Sequence, residues 1–219
     1  FFTYTILVIL KQKKLSEIKT DFVNNMTHEF KTPISTIALS SDVLMRDDII
    51  KNPERLKHYA TIISEENLRL KRQVESVLQV SQIDSHKIVL NNTEVDIHEL
   101  IENLSKNMEP RLSELDGKIK LHLNARKHIV IGDEVHLTNI LYNLVDNAIK
   151  YCDKIPEIII TTQYKHKGIE IAVKDNGKGI EKSSHNMIFE KFFRVPNGDI
   201  HDVKGFGLGL FYVKNMIKL

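Results

Sequence analysis

One cysteine, Cys152, is present in 219 residues. A lone thiol excludes an intrachain disulfide and any metal site built on several cysteines, and it suits a reducing compartment. The ten histidines do not supply a metal site either. None pairs with Cys152 or with another histidine at ligand spacing. An excess of one charge is also missing: Lys and Arg number 31 against 29 Asp and Glu, a formal net charge of +2. No aromatic-plus-basic pattern offers a stacking surface for bases, so direct nucleic acid binding is not expected. Internal repeats and low-complexity segments are absent. Residues 1–10, FFTYTILVIL, are almost wholly apolar but rise only ~15 Å as a helix, about half of a bilayer core. Lys11, Lys13 and Lys14 follow at once. This reads as the C-terminal half of a transmembrane helix, with the lysines marking its cytoplasmic side.

What remains divides into two halves of different period. From Leu15 to Leu44 apolar residues fall at helical spacing through Ile18, Phe22, Met26, Phe30, Pro33 and Ile37, with Ser41 in the gap. Arg46–Pro53 interrupts them, and Pro53 is placed to open a new helix. A second seam runs through Leu56, Tyr59, Ile63, Leu70, Val74, Val77 and Ser81 and ends near Asp84. Two long helices on a short loop predict an antiparallel hairpin. Its open apolar stripe predicts a homodimeric four-helix bundle. Residues 86–93 are polar and read as a linker. Beyond them strands mix with helices: Asp96 and Asp133 cap helices, Asp116-Gly117 turns, and Lys118–Asn124, Ile129–Ile131, 156–164 and 169–174 read as strands. The fold class is therefore α+β, a helical hairpin followed by an α/β-sandwich domain.

Three clusters in the second half suit one nucleotide site. Asn143, Asn147 and Lys150 recur at spacings of four and three, so they share one helix face beside Tyr151. Amide oxygens suit Mg2+, and a lysine one turn on reaches phosphates. Asp175-Asn176-Gly177-Lys178-Gly179 follows a strand. Its carboxylate suits an exocyclic amine such as that of adenine, and its glycines admit a flat ligand. Gly205-Phe206-Gly207-Leu208-Gly209 opens the last helix, where backbone N–H groups cradle phosphate. No G-K-[ST] follows it, and no compact strand–turn–helix unit surrounds it, so it is neither a Walker A loop nor a Rossmann loop.

The first half carries His28-Glu29-Phe30-Lys31-Thr32-Pro33. A histidine that takes a phosphoryl group must be neutral, exposed and fixed in one tautomer. Glu29 is the adjacent acceptor for that task. Thr32 lies one turn on, on the same face. Pro33 cannot donate to the carbonyl of Glu29, so the helix is expected to bend or loosen there.

The order and spacing of these motifs resemble the cytoplasmic core of bacterial sensor histidine kinases of the HisKA type. His28–Pro33 looks like the H box, Asn139–Tyr151 the N box and Asp175–Gly179 the G1 box. Ile188–Arg194 looks like the F box and Gly205–Gly209 the G2 box. The resemblance covers about residues 15–219. It implies a dimerisation and histidine phosphotransfer domain over 11–85 and a Bergerat-type ATP-binding domain over 94–219, incomplete at its C-terminus, in a natural protein longer at both ends.

By that resemblance His28 is the phosphoacceptor, Glu29 its base, and Thr32 an orienter of water in dephosphorylation of the response regulator. Asn147 ligates Mg2+. Asn143, Lys150 and Tyr151 line the triphosphate site, and Asp175 reads adenine over a floor shaped by Gly177 and Gly179. Gly205, Gly207 and Gly209 flank an ATP lid spanning about 181–204, and Arg194 matches an arginine that meets the γ-phosphate in some members. The implied activity is autophosphorylation from ATP and transfer to an aspartate of a response regulator receiver domain, with phosphatase activity besides. The implied place is the bacterial inner membrane, with this portion cytoplasmic. Two alternatives stand beside it: another ATPase of the GHKL superfamily, and a non-catalytic dimeric signalling scaffold.

Overall fold

The computed structural model describes residues 2–84, 88–166, 168–195 and 205–219, without the side chains of Leu7, Lys11, Leu15 and Asp84. The chain forms two compact units. One holds Phe1–Ser85 with Lys191–Phe193 and Lys204–Leu208. The other holds His86–Glu190 with Arg194–Val203 and Gly209–Leu219.

The first unit is built on two helices, α1 (Phe2–Leu44) and α2 (Pro53–Asp84). Pro53 opens α2 at the position where a missing N–H costs nothing, and the Asn52 side chain accepts from the Arg55 N–H at 3.1 Å. Between the helices a 3-10 turn, Ile49–Lys51, buries Ile49. The two helices pack along their length as the seams predict. The inward residues differ in detail: Ser40 and Val80 are buried, whereas Val74 is 48% exposed.

α1 continues through Pro33 as one helix, and the ring of Pro33 is among the most deeply buried side chains of the chain. Burial of that ring offsets the hydrogen bond that proline removes. Ile34, Leu39, Leu68 and Leu78 remain exposed on the hairpin.

The second unit layers two helices on a sheet. Strands β2 (Lys118–Leu123), β4 (Glu157–Lys165) and β5 (Gly168–Lys174) form a mixed sheet in the order β2-β4-β5, with β2 and β4 parallel and β4 and β5 antiparallel. The parallel pair needs a crossover, and α4 (Glu134–Lys150) lies within it. A separate antiparallel pair joins β1 (Thr93–Asp96) to β3 (Ile129–Gly132). β1 falls at the end of the stretch read as linker and was not expected from the sequence.

Ile97, Ile101, Leu104 and Met108 of α3 (Ile97–Ser113) meet Leu141, Val145 and Ile149 of α4 over Ile158 and Ile160 of β4. Fully burying each such side chain is worth ~1.5–3 kcal/mol. Both predicted caps form. Asp96 accepts from the N–H groups of His98 and Glu99, and Asp133 accepts from that of His136. A short helix α5 (Gly209–Met216) follows the last glycines.

Candidate active site

In the hairpin unit His28 is exposed on α1, and so is Thr32. The Thr32 hydroxyl donates to the carbonyl of His28 at 3.3 Å, so its oxygen stays one turn from the imidazole. Glu29 sits differently from the expectation that its carboxylate serves the adjacent ring. Its Oε2 accepts from Arg69 Nη2 at 3.2 Å and from Gln73 Nε2 at 3.5 Å, both on α2, and its side chain is only 15% exposed. Arg69 also lies 3.5 Å from Glu66. Consecutive helix positions point about 100° apart, so an exposed His28 places Glu29 partly between the helices. Arg69 is forty residues away in sequence, and no local signal marks it.

In the second unit α4 carries Asn143, Asn147 and Lys150 on one face, all partly buried. Asn143 donates from Nδ2 to the Asn139 carbonyl at 2.8 Å. Its Oδ1 closes on Gly209, where an added Cβ would come within 2.5 Å of that oxygen. Lys150 Nζ lies 2.6 Å from Asp146 Oδ2, and Arg111 Nη1 of α3 lies 2.7 Å from Asp146 Oδ1. Asn147 has no side-chain hydrogen bond among the described residues.

The end of α4 is tied to the turn after β5. The Lys178 N–H donates to the Tyr151 carbonyl at 3.2 Å, and Lys178 Nζ stands 5.7 Å from the Tyr151 ring centroid. At Gly177 a Cβ would meet the Tyr151 carbonyl oxygen at 2.7 Å, so only glycine allows this approach. Asp175 is exposed, and its Oδ1 accepts from the Gly177 N–H at 2.8 Å. Gly179 takes φ +72° with open space where a side chain would stand. Asn176, which sequence reasoning left without a role, accepts from the Glu157 N–H at 2.8 Å and donates to the Ile155 carbonyl at 2.9 Å. It staples this loop to the start of β4. An Asn inside an Asp–Gly–Gly turn was the available signal.

Gly205 and Gly207 take φ of +148° and +68°. The Gly207 carbonyl accepts from the Phe192 N–H at 3.1 Å. Arg194 is partly buried and lies one residue before the end of the described segment. Of the lid expected over 181–204, residues 196–204 lie outside the described residues.

The donor set of the second unit fits a Mg2+–adenine nucleotide. Asn147 offers a hard amide oxygen without a partner among the described residues, Lys150 offers a cation one turn away, and Asp175 offers a carboxylate beside an open glycine. The structure joins Asn143 to Gly209 and Tyr151 to Gly177, so these clusters of the second unit meet α4 at its middle and at its C-terminal end.

Residues 18–86 match the His Kinase A (phospho-acceptor) domain, and residues 132–219 match the Histidine kinase-, DNA gyrase B-, and HSP90-like ATPase. The chain belongs to the sensor histidine kinase family. It is 43% identical over 219 residues to Sensor protein RprX of Bacteroides fragilis, spanning 99% of this chain and 42% of that protein. Among solved structures, full-length ShkA in complex with AMPPNP superposes with a TM-score of 0.64 at 25% identity, covering 92% of this chain and 40% of that one. The histidine kinase ThkA in complex with its response regulator TrrA has the same fold, with a TM-score of 0.55 at 24% identity over 87% of this chain and 55% of that one. The chain thus spans about two fifths of its relative RprX.

Proposed function

We propose that this chain is the phosphotransfer and ATP-binding portion of a sensor histidine kinase that phosphorylates itself on His28. The observation that carries the reading is the presence, on one chain, of an exposed His28 on a paired-helix stem and of the Asn147, Lys150 and Asp175 set in the other unit. AMPPNP in the related ShkA structure supports ATP as the donor.

Phosphoryl transfer rests on positioning and charge neutralisation more than on covalent help. Asp175 selects the adenine amine, Lys150 and Tyr151 hold the phosphates, and Asn147 holds Mg2+, which supplies charge neutralisation when bound. Gly205, Gly207 and Gly209 flank the lid, and Arg194 meets the γ-phosphate. His28 attacks the γ-phosphorus with its neutral ring, the bond from that phosphorus to the β,γ-bridging oxygen breaks and ADP leaves, and Glu29 takes the ring proton once its carboxylate is released from Arg69. The phosphoryl group passes next to an aspartate of a response regulator receiver domain, by likeness to the ThkA–TrrA pair. Thr32, one turn from His28, supports a phosphatase step on that partner.

Exposed Ile34, Leu39, Leu68 and Leu78 on the hairpin support a homodimer closed as a four-helix bundle. We place the working boundaries at 11–85 for this domain, 86–93 for the linker and 94–219 for the catalytic domain. Among the described residues no helix is long and apolar enough to cross a membrane. The apolar residues 1–10 and the lysines after them support an anchor of which they form the cytoplasmic half, with the rest of this chain on the cytoplasmic side of a bacterial inner membrane.

Incubation with γ-labelled ATP and Mg2+ tests the reading. Acid-labile, base-stable label that His28→Ala abolishes is the expected result. Steady phosphate release without protein label would instead make this a GHKL ATPase, and neither signal would leave a scaffold.

A further inference from the structure

The Asp146 carboxylate is shared by two cations from two helices. Arg111 Nη1, in the last turn of α3, lies 2.7 Å from one oxygen, and Lys150 Nζ, at the end of α4, lies 2.6 Å from the other. The carboxylate is 14% exposed and the two cationic side chains 38% and 32%. Lys150 is the group assigned above to phosphate, and the inference rests on that reading. Bound to Asp146, its ammonium is committed to a protein anion.

We propose that Arg111 is a positioning residue for the triphosphate. It holds Asp146 when Lys150 turns from that carboxylate to a phosphate oxygen. The argument is one of charge. A largely buried carboxylate stripped of its only cation is costly, because neither water nor a partner remains to offset it. With Arg111 in place, Asp146 retains a short ion pair after Lys150 leaves. Without Arg111, Lys150 becomes the sole partner of Asp146 and is held back from the ligand. Arg111 also keeps the negative charge of Asp146 from opposing an anionic ligand beside Asn147.

A purely structural alternative gives Arg111 the simpler task of tying α3 to α4 and answering the partial negative charge at the α3 C-terminus. The two roles predict different behaviour when Asp146 is neutralised. If Arg111 is only a tie, removing Asp146 as well as Arg111 restores nothing. If Arg111 serves to release Lys150, neutralising Asp146 makes it dispensable.

The test uses the whole chain with R111Q, D146N, R111K and the R111Q/D146N double variant, and reads two quantities. The first is AMPPNP affinity in Mg2+ by titration calorimetry. R111Q is expected to bind about tenfold more weakly, R111K close to the parent, and the double variant at least as tightly as R111K. The second needs no nucleotide: the rate at which Lys150 Nζ is acetylated by dilute acetic anhydride, read by mass spectrometry. Lys150 should react more slowly in R111Q, where Asp146 grips it alone, and faster in D146N.

A double variant no better than R111Q, or Lys150 reactivity unchanged in R111Q, overturns the proposal. If the parent chain fails to bind AMPPNP while Lys150 reactivity shifts as expected, the charge coupling exists and the nucleotide reading falls, taking the role of Arg111 toward phosphate with it. Thermal melts of each variant separate unfolding from both.

Discussion

The imidazoles of His98 and His128 lie face to face, with ring centroids 4.3 Å apart and planes 8° from parallel. Each is also held at a ring nitrogen. His98 Nε2 is 2.9 Å from the hydroxyl of Thr162, and His128 Nδ1 is 2.8 Å from Asp96 Oδ1. Thr162 is wholly buried, and its hydroxyl also accepts the Ala125 N–H at 3.3 Å. This clasp joins the start of α3 to β4 and to the residue before β3. Burial pushes the His98 pKa down, and His128 beside it adds to the shift against the opposing pull of Asp96 and Glu102.

The sign of the pH effect follows. An unfolded His98 takes its proton at about pH 6.5, and the folded one only at lower pH. Between those values the unfolded chain binds more protons, so stability falls as the pH drops below about 6.5. Asp96 works in the same direction in a lower window. Its hydrogen bond to His128 holds its carboxyl below the usual carboxylate range, and its contribution is lost only as pH falls through that lowered value. Urea midpoints measured from pH 7.5 to 5 should decline more steeply in the parent than in His98→Asn. Equal slopes would show that the clasp does not titrate.

Much of this architecture is legible from local chemistry. Asp96 and Asp133 announce their helices because an Asp ahead of an apolar period has backbone N–H groups to cap. Asp116-Gly117 announces its turn, and Asp116 takes φ +53° there. Asn143, Asn147 and Lys150 share a face because helical period is local. What stays hidden is pairing across distance. β1 is four residues whose partner strand begins 33 residues later. Arg111 meets Asp146 across 35 residues, and Arg69 meets Glu29 across 40. A single arginine on a helix carries no mark of its partner.

The pairing of Arg69 with Glu29 separates two roles of that carboxylate. Glu29→Gln removes the base and should slow the first turnover of His28 labelling by about 10²-fold or more. Arg69→Met removes the cation from a carboxylate that is 15% exposed, and should cost the fold about 1–3 kcal/mol. Per folded molecule it leaves labelling undiminished, since Glu29 is then free. Rapid-quench labelling alongside urea denaturation compares them. An Arg69→Met protein that labels as slowly as Glu29→Gln would assign Arg69 to the chemistry.

Two glycines two residues apart, Gly177 and Gly179, should respond differently to alanine. At Gly177 the new methyl meets the Tyr151 carbonyl oxygen at 2.7 Å and Asp175 Oδ1 at 2.9 Å. Backbone must move, at about 1–3 kcal/mol, and Tyr151 and Asp175 move with it. Gly179 has nothing within 4 Å but sits at φ +72°, so alanine costs about 1 kcal/mol of strain and displaces no neighbour. AMPPNP titration should find binding lost by about tenfold or more in Gly177→Ala and nearly kept in Gly179→Ala. The reverse order would detach the Tyr151–Gly177 contact from the nucleotide.

Tyr212 of α5 reaches His136 of α4 through a hydrogen bond of 2.6 Å between its hydroxyl and Nδ1. The phenol is 3% exposed, burial pushes its pKa up, and Asn139 is a second partner. Tyr212→Phe keeps the ring's packing and removes only the oxygen, so its cost measures the bond, about 1 kcal/mol. α5 begins at Gly209, which packs against Asn143 of the same α4. Loosening this latch should therefore raise hydrogen exchange across Phe211–Met216 and leave α3 protected. His136→Ala should do the same, and the double variant should cost little more than either single one, because both remove one bond. Additive losses would mean that His136 and Tyr212 act separately and that α5 is held by its apolar face alone.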